Sequence, residues 1–156
     1  MPLAYQELTD TIINAFYTVY NALGYGFLEK VYENALLHEL RKRGLQAEAQ
    51  QRLLVHYDGV VVGEYFADML VENKVILELK AAEAIEESHT AQLVNYLKAT
   101  RAEVGFVLNF GPEPKFERRY FSNPKTAANQ QKSALIRPIR VIRVPFCCLD
   151  YDYDAI

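Results

Sequence analysis

The sequence predicts an α/β fold whose elements run helix, helix, three strands, helix, strand. Three observations carry that expectation. Apolar residues near the N-terminus recur at spacings of three and four, the period of a helix face. Residues 48–81 then read as short strand-forming runs separated by turn signals. A further helical stretch precedes Val104-Gly105-Phe106-Val107-Leu108, an almost wholly apolar run suited to a strand buried on both faces.

Taken in order, Leu8, Ile12, Ala15, Phe16, Val19 and Leu23 form one stripe, which Gly24-Tyr25-Gly26 interrupts. Leu28, Val31, Tyr32, Ala35, Leu36 and Leu40 form the stripe of a second helix. It ends in Arg41-Lys42-Arg43-Gly44, where basic residues meet the helix C-terminus and glycine stops it. A strand over about 48–57 leads to Asp58-Gly59, a strong hairpin signal. Val60 to Val71 is the second strand and Val75 to Ala81 the third. A helix over about Ser88 to Thr100 takes Ser88 as its N-cap, and puts His89, Gln92 and Tyr96 on one face with Leu93 and Leu97 toward the core. Val104 to Asn109 is the next strand, Gly111-Pro112-Glu113-Pro114 a turn, and Phe116 to Phe121 an edge strand.

The charged residues of the second and third strands are the strongest pointer to chemistry. Asp68, Glu78 and Lys80 stand in runs otherwise fit for burial. Buried charges are costly unless they are paired or bound to a cation, and a hard divalent ion takes oxygen ligands. Alternation places Glu64, Phe66, Asp68 and Leu70 on one face of their strand, and Ile76, Glu78 and Lys80 on one face of theirs. A three-residue loop, Glu72-Asn73-Lys74, sets Asp68 opposite Glu78, about 5 Å across the strand pair. A two-residue loop would separate them onto opposite faces. The alternative to a metal site is an ion-paired cluster with Lys80 or Arg118.

The bulk properties narrow the field. A chain of 156 residues with 51% hydrophobic and 24% charged residues suits one domain with a sizeable core. No apolar run approaches the roughly 20 residues that span a bilayer. The start, Met1-Pro2-Leu3-Ala4-Tyr5-Gln6-Glu7, lacks the pattern of a signal peptide. Cys147 and Cys148 are adjacent, which suits neither an ordinary disulfide nor a zinc site, so a cytoplasmic setting is the expectation. Residues 1–121 hold 12 Lys/Arg and 17 Asp/Glu, a balance of −5. That argues against strong non-specific nucleic-acid binding through basic contacts, but leaves room for an enzyme that meets phosphate through metal ions.

The element order, with Asp68 on the second strand and Glu78-Leu79-Lys80 on the third, resembles the core of the PD-(D/E)XK nuclease superfamily. Gly26-Phe27-Leu28-Glu29-Lys30-Val31-Tyr32 matches the pattern that names the GxxExxY family, a bacterial and archaeal branch of it. Gln92-Leu93-Val94-Asn95-Tyr96-Leu97 and Gly105-Phe106-Val107-Leu108-Asn109-Phe110-Gly111 extend the likeness, which covers roughly residues 5–121. Ala67 stands where the superfamily's name has proline, a residue often absent in relatives. The resemblance implies a restriction-endonuclease-like core, a mixed central β-sheet flanked by helices in α-β-β-β-α-β order. It implies a nuclease-like domain over 1–121 with a C-terminal extension over 122–156.

By the same resemblance, Asp68 and Glu78, with the Leu79 carbonyl and Glu29, would bind Mg²⁺ or Mn²⁺. Lys80 would orient the attacking water or stabilise the transition state, and Gln92 would support the site. Tyr96 would approach substrate, with His89 and Arg118 as further substrate contacts. Arg118 and Arg119 alternate, so one of them faces the site. Tyr32 is expected to pack, its hydroxyl reaching a polar partner. The activity implied is phosphodiester hydrolysis, in DNA rather than RNA, by an enzyme that would often be a homodimer when it cuts both strands. The rival is a binding or regulatory module that keeps the fold without turnover. The stretch from Ser122 onward, with Ile136-Arg137, Ile139-Arg140 and Ile142-Arg143, reads as a solvated tail whose three arginines offer a phosphate contact as the alternative.

Overall fold

The computed structural model of the protein describes residues 5–122. The expectations placed on the tail lie outside the described residues, Ser122 excepted. The elements are α1 (Gln6–Leu23), α2 (Glu29–Lys42), β1 (Ala47–Tyr57), β2 (Val60–Val71), β3 (Val75–Lys80), α3 (Glu87–Ala99), β4 (Val104–Asn109) and β5 (Lys115–Tyr120). They form a five-stranded mixed sheet in the order β1-β2-β3-β4-β5. Strands β3 and β4 run parallel, joined through α3, and every other neighbouring pair is antiparallel. This is the α/β architecture with a mixed central sheet that the sequence predicts.

Helices cover both faces. On one, Ile12, Ala15, Phe16 and Val19 of α1 and Tyr32, Leu36 and Leu40 of α2 pack against Met69, Val71, Leu77, Leu79, Phe106 and Leu108. These are the stripe residues read from the sequence, except that Leu28 and Val31 of the second stripe are exposed. On the other face Leu93, Tyr96 and Leu97 of α3 pack against Leu53, Ala67, Ile76 and Val107. Gly105 permits that contact, since a Cβ there would lie 2.6 Å from Leu93 Cδ1.

The turns set the register. Asp58 and Gly59 have φ of 49° and 78°, the left-handed pair of a two-residue hairpin. The β2–β3 loop is the expected Glu72-Asn73-Lys74, with φ of 53° and 54° at Glu72 and Asn73. The Lys74 N–H closes it onto the Val71 carbonyl at 3.0 Å. The pairs Val71↔Val75, Leu70↔Ile76 and Met69↔Leu77 follow, and the ladder ends one step short of Asp68 and Glu78.

Two local expectations need correction. Helix α3 starts at Glu87, and its N-cap is Glu86 rather than Ser88. The reason is a capping box in which the Glu86 N–H donates to His89 Nδ1 at 3.1 Å. Alternation along β2 also fails at the point of interest. Met69 and Val71 face α1 and α2, whereas Ala67, of the same parity, faces α3. Strand β1 switches likewise between Ala47 and Leu53. Leu70 packs toward α3 while Phe66 is exposed, so Glu64 and Phe66 do not share a face with Leu70. The switch centres on Gln50 and Asp68.

Candidate active site

Strands β2 and β3 part company at Asp68. The ladder stops after Met69↔Leu77, and the Leu79 N–H donates to Asp68 Oδ2 at 2.7 Å. The carboxylate is thereby held between the two strands. Burial pushes its pKa up, the Leu79 N–H and the Lys80 charge oppose that, and Glu33 and Glu29 add to the rise.

Glu78 is 1% exposed and shares a sheet face with Val107, its β4 partner in the cluster under α3. Its Oε1 accepts from Lys80 Nζ at 2.8 Å, while Oε2 is buried and has no hydrogen-bond partner. Burial first and Asp68 second push the Glu78 pKa up to about 7, against the pull of Lys80. Burial works against the Lys80 charge, yet the Glu78 hydrogen bond and the charges of Glu78, Glu29 and Asp68 leave its pKa raised.

The loop after β3 is pinned from β4. The Phe110 N–H donates to the Lys80 carbonyl at 2.7 Å, and the Asn109 amide both accepts from the Ala82 N–H at 3.0 Å and donates to the Ala82 carbonyl at 2.8 Å. Gly111 is required beside it, because a Cβ there would fall 2.0 Å from the Ala82 carbonyl oxygen.

Helix α2 brings two more carboxylates. Tyr32 is fully buried and stacks on Phe110 at 4.4 Å. Its hydroxyl donates to the Gly24 carbonyl at 2.8 Å and accepts from the Phe27 N–H at 3.2 Å. The Gly-Phe-Leu-Glu-Lys-Val-Tyr stretch is thus a tied loop that starts α2 at a fixed point. Gly26 takes φ of 107° within it, which disfavours any side chain. Glu29, the first residue of the helix, is exposed and accepts from the Ala81 N–H at 3.4 Å. Glu33, one turn on, is 4% exposed. It accepts from Lys30 Nζ and, at 2.6 Å, from Gln50 Nε2.

From α3, Gln92 Nε2 donates to Tyr96 Oη at 2.5 Å. Burial leads the upward shift of the Tyr96 pKa, which Gln92 opposes and the Glu78 and Asp68 charges reinforce. Tyr65 of β2 packs its ring 5.7 Å from that of Tyr96. His89, expected to face substrate, is engaged in the α3 capping box. Arg118 pairs in register with Phe106, on the face that carries α1 and α2, so the structure does not bring it to Glu78. Arg119 has the other parity, and its guanidinium is tied to Glu117 at 2.6 Å.

The sequence reading passes over Glu33, whose charge acts on Asp68, and Gln50, which hydrogen-bonds to Glu33. Glu33 was visible as a carboxylate one turn from Glu29, inside the Tyr32, Leu36 and Leu40 stripe. Gln50 carries no such signal.

A family model for the PD-(D/E)XK nuclease superfamily matches residues 6–120. The chain belongs to the PD-(D/E)XK nuclease superfamily. A solved structure described as "Crystal structure of SSO0001" is similar in fold, with a TM-score of 0.50 and 20% identity. The likeness covers 70% of this chain and 60% of that one, so the chain spans less than two thirds of the solved structure's length. No curated protein matches the sequence. Among the described residues no helix is long and apolar enough to cross a membrane.

Superfamily nucleases generally use divalent metals, and the donors here fit one in kind. A buried carboxylate oxygen without a partner, beside a second carboxylate, suits a hard cation. Among the described residues no three His, Cys, Asp or Glu side chains form a ligand cluster as they stand. A bound ion would therefore draw on backbone carbonyls, water or substrate as well.

Proposed function

We propose that this nuclease-superfamily chain is a Mg²⁺- or Mn²⁺-dependent nuclease of the GxxExxY branch, hydrolysing phosphodiester bonds in DNA. The observation that carries the reading is Glu78, buried next to Asp68 with Oε2 unpartnered and Oε1 on Lys80. Asp68 and Glu78 would hold the ion, with the Leu79 carbonyl and Glu29 as further ligands. When bound, the ion supplies charge neutralisation at the phosphate and a more acidic water.

The chain's own groups do the rest. Lys80 keeps a cation within reach of the scissile phosphate, where it orients the water or stabilises charge developing in the transition state. Gln92 fixes the Tyr96 hydroxyl, which turns toward substrate. The working unit is residues 1–121, with 122–156 as an extension, in a cytoplasmic protein that would dimerise to cut both strands.

The test uses the purified full chain on labelled DNA and RNA with Mn²⁺ or Mg²⁺. Asp68→Ala and Lys80→Ala are each expected to lower cleavage about 100-fold or more. Equal cleavage by wild type and both variants would assign the activity to a contaminant. A fold-bearing module without turnover is the second reading. It is favoured by the site's cations, Lys80 and Lys30, being already ion-paired to Glu78 and Glu33. Calorimetry with Mn²⁺ separates the two: heat that vanishes in Glu78→Ala supports the metal site, and no heat in wild type supports the module.

A further inference from the structure

Gln50 has an unusual backbone for its place. It lies inside β1 with φ of 53°, a left-handed conformation that glutamine rarely adopts in a strand. The pairs on either side, Ala49↔Met69 and Gln51↔Ala67, keep one register. That register would set Gln50 against Asp68, and the pair between them is skipped. Strand β2 changes face here, between Ala67 and Met69, and β1 changes face between Ala47 and Leu53. Unfavourable backbone geometry persists where the surroundings enforce it, and it concentrates at functional sites.

The side chain that results reaches Glu33, donating from Nε2 to Oε2 at 2.6 Å. Glu33 is 4% exposed, and its Oε1 accepts from Lys30 Nζ, so both carboxylate oxygens are held. Its charge is felt at Asp68, where it adds to the upward pressure on that carboxyl. A pair made only to tie α2 to β1 would not need a strained strand residue at the one register position facing Asp68.

We infer that Gln50 is a positioning residue of this site, whose left-handed backbone breaks the pairing opposite Asp68 in order to hold the buried Glu33 carboxylate beside it. Glu33, rather than the tie itself, is what the reaction uses. This rests on the nuclease reading of the site.

An exchange of the two side chains tests it, with melting temperature and metal-supported DNA cleavage measured on the full chain. Gln50→Glu alone sets two carboxylates together, and both Tm and cleavage fall. The double variant Gln50→Glu/Glu33→Gln restores an amide–carboxylate pair in the reverse sense. Its Tm is expected to return to the wild-type value while cleavage stays down on the order of 100-fold. Recovery of both quantities would make the pair a structural tie and overturn the inference. A double variant no more stable than Gln50→Glu would also overturn it, because the contact would then be absent in solution. A wild type that cleaves nothing removes the nuclease reading itself, a different result from a cleaving wild type whose double variant cleaves equally well.

Discussion

The two ends of the β2–β3 pair share the same strands and follow opposite rules. At the turn end, Val71, Val75, Met69 and Leu77 are fully buried, paired in register and apolar. At the open end the ladder stops, and the same strands carry Asp68, Glu78 and Lys80 with a buried oxygen left without a partner. Burial that stabilises the first end works against the second. The turn end explains why the fold forms; the open end is where burial opposes the charges that the strands carry.

Neighbouring residues make that contrast measurable. Leu77 and Glu78 are adjacent in one strand and 0% and 1% exposed. Leu77→Ala leaves a cavity in the α1/α2 core and is expected to cost about 2–5 kcal/mol, seen as a lower denaturation midpoint at any pH. Glu78→Gln is expected to do the reverse in metal-free protein at pH 8. It removes a buried carboxylate whose ionisation in the fold is opposed by burial and by Asp68. A destabilised Glu78→Gln under those conditions would mean that the two ends do not differ in this way.

The sign follows from the shift. An unfolded glutamate releases its proton near 4.5, whereas folded Glu78 holds it to about 7. Between those values the folded state binds more protons, so its stability falls as pH rises through them and then levels off. The span corresponds to roughly 3 kcal/mol, with Asp68 adding in the same direction. Thermal melts of the metal-free protein at pH 5 and pH 8 should show wild type losing more stability than Glu78→Gln. A wild type gaining stability over that range relative to the variant would refute the assignment.

The turn end was legible because its signals are local. Glu72-Asn73-Lys74 states its geometry in its own residues, as Asp58-Gly59 does at the far end of β2, and the stripes of Ile12, Phe16, Leu36 and Leu40 need only a helical period. The open end was legible in its charges but not in its arrangement. The period-2 rule assumes an unbroken ladder, and the left-handed Gln50 breaks it. The choice between Arg118 and Arg119 needed the β4–β5 register, which no residue announces. Nothing in the sequence shows that Gln50 of β1 reaches Glu33, which is 4% exposed. His89 is a substrate contact by resemblance, and nothing in the sequence shows that Glu86, and not Ser88, caps its helix and engages it.

Tyr32 connects the two regimes, which makes its hydroxyl the finest probe of the comparison. Its ring belongs to the dry core against Phe110, and its hydroxyl ties down the loop that delivers Glu29. Tyr32→Phe keeps the ring and deletes the hydroxyl, leaving the Gly24 carbonyl and the Phe27 N–H without it. The expected loss is about 1–2 kcal/mol, smaller than for Leu77→Ala because the core packing survives. It should be local as well, so hydrogen exchange ought to rise across residues 24–28 while β3 and β4 keep their protection. Exchange rising equally in β3 would show that the loop and the core unfold together, and the boundary between the stable end and the chemical end would then have to be drawn elsewhere.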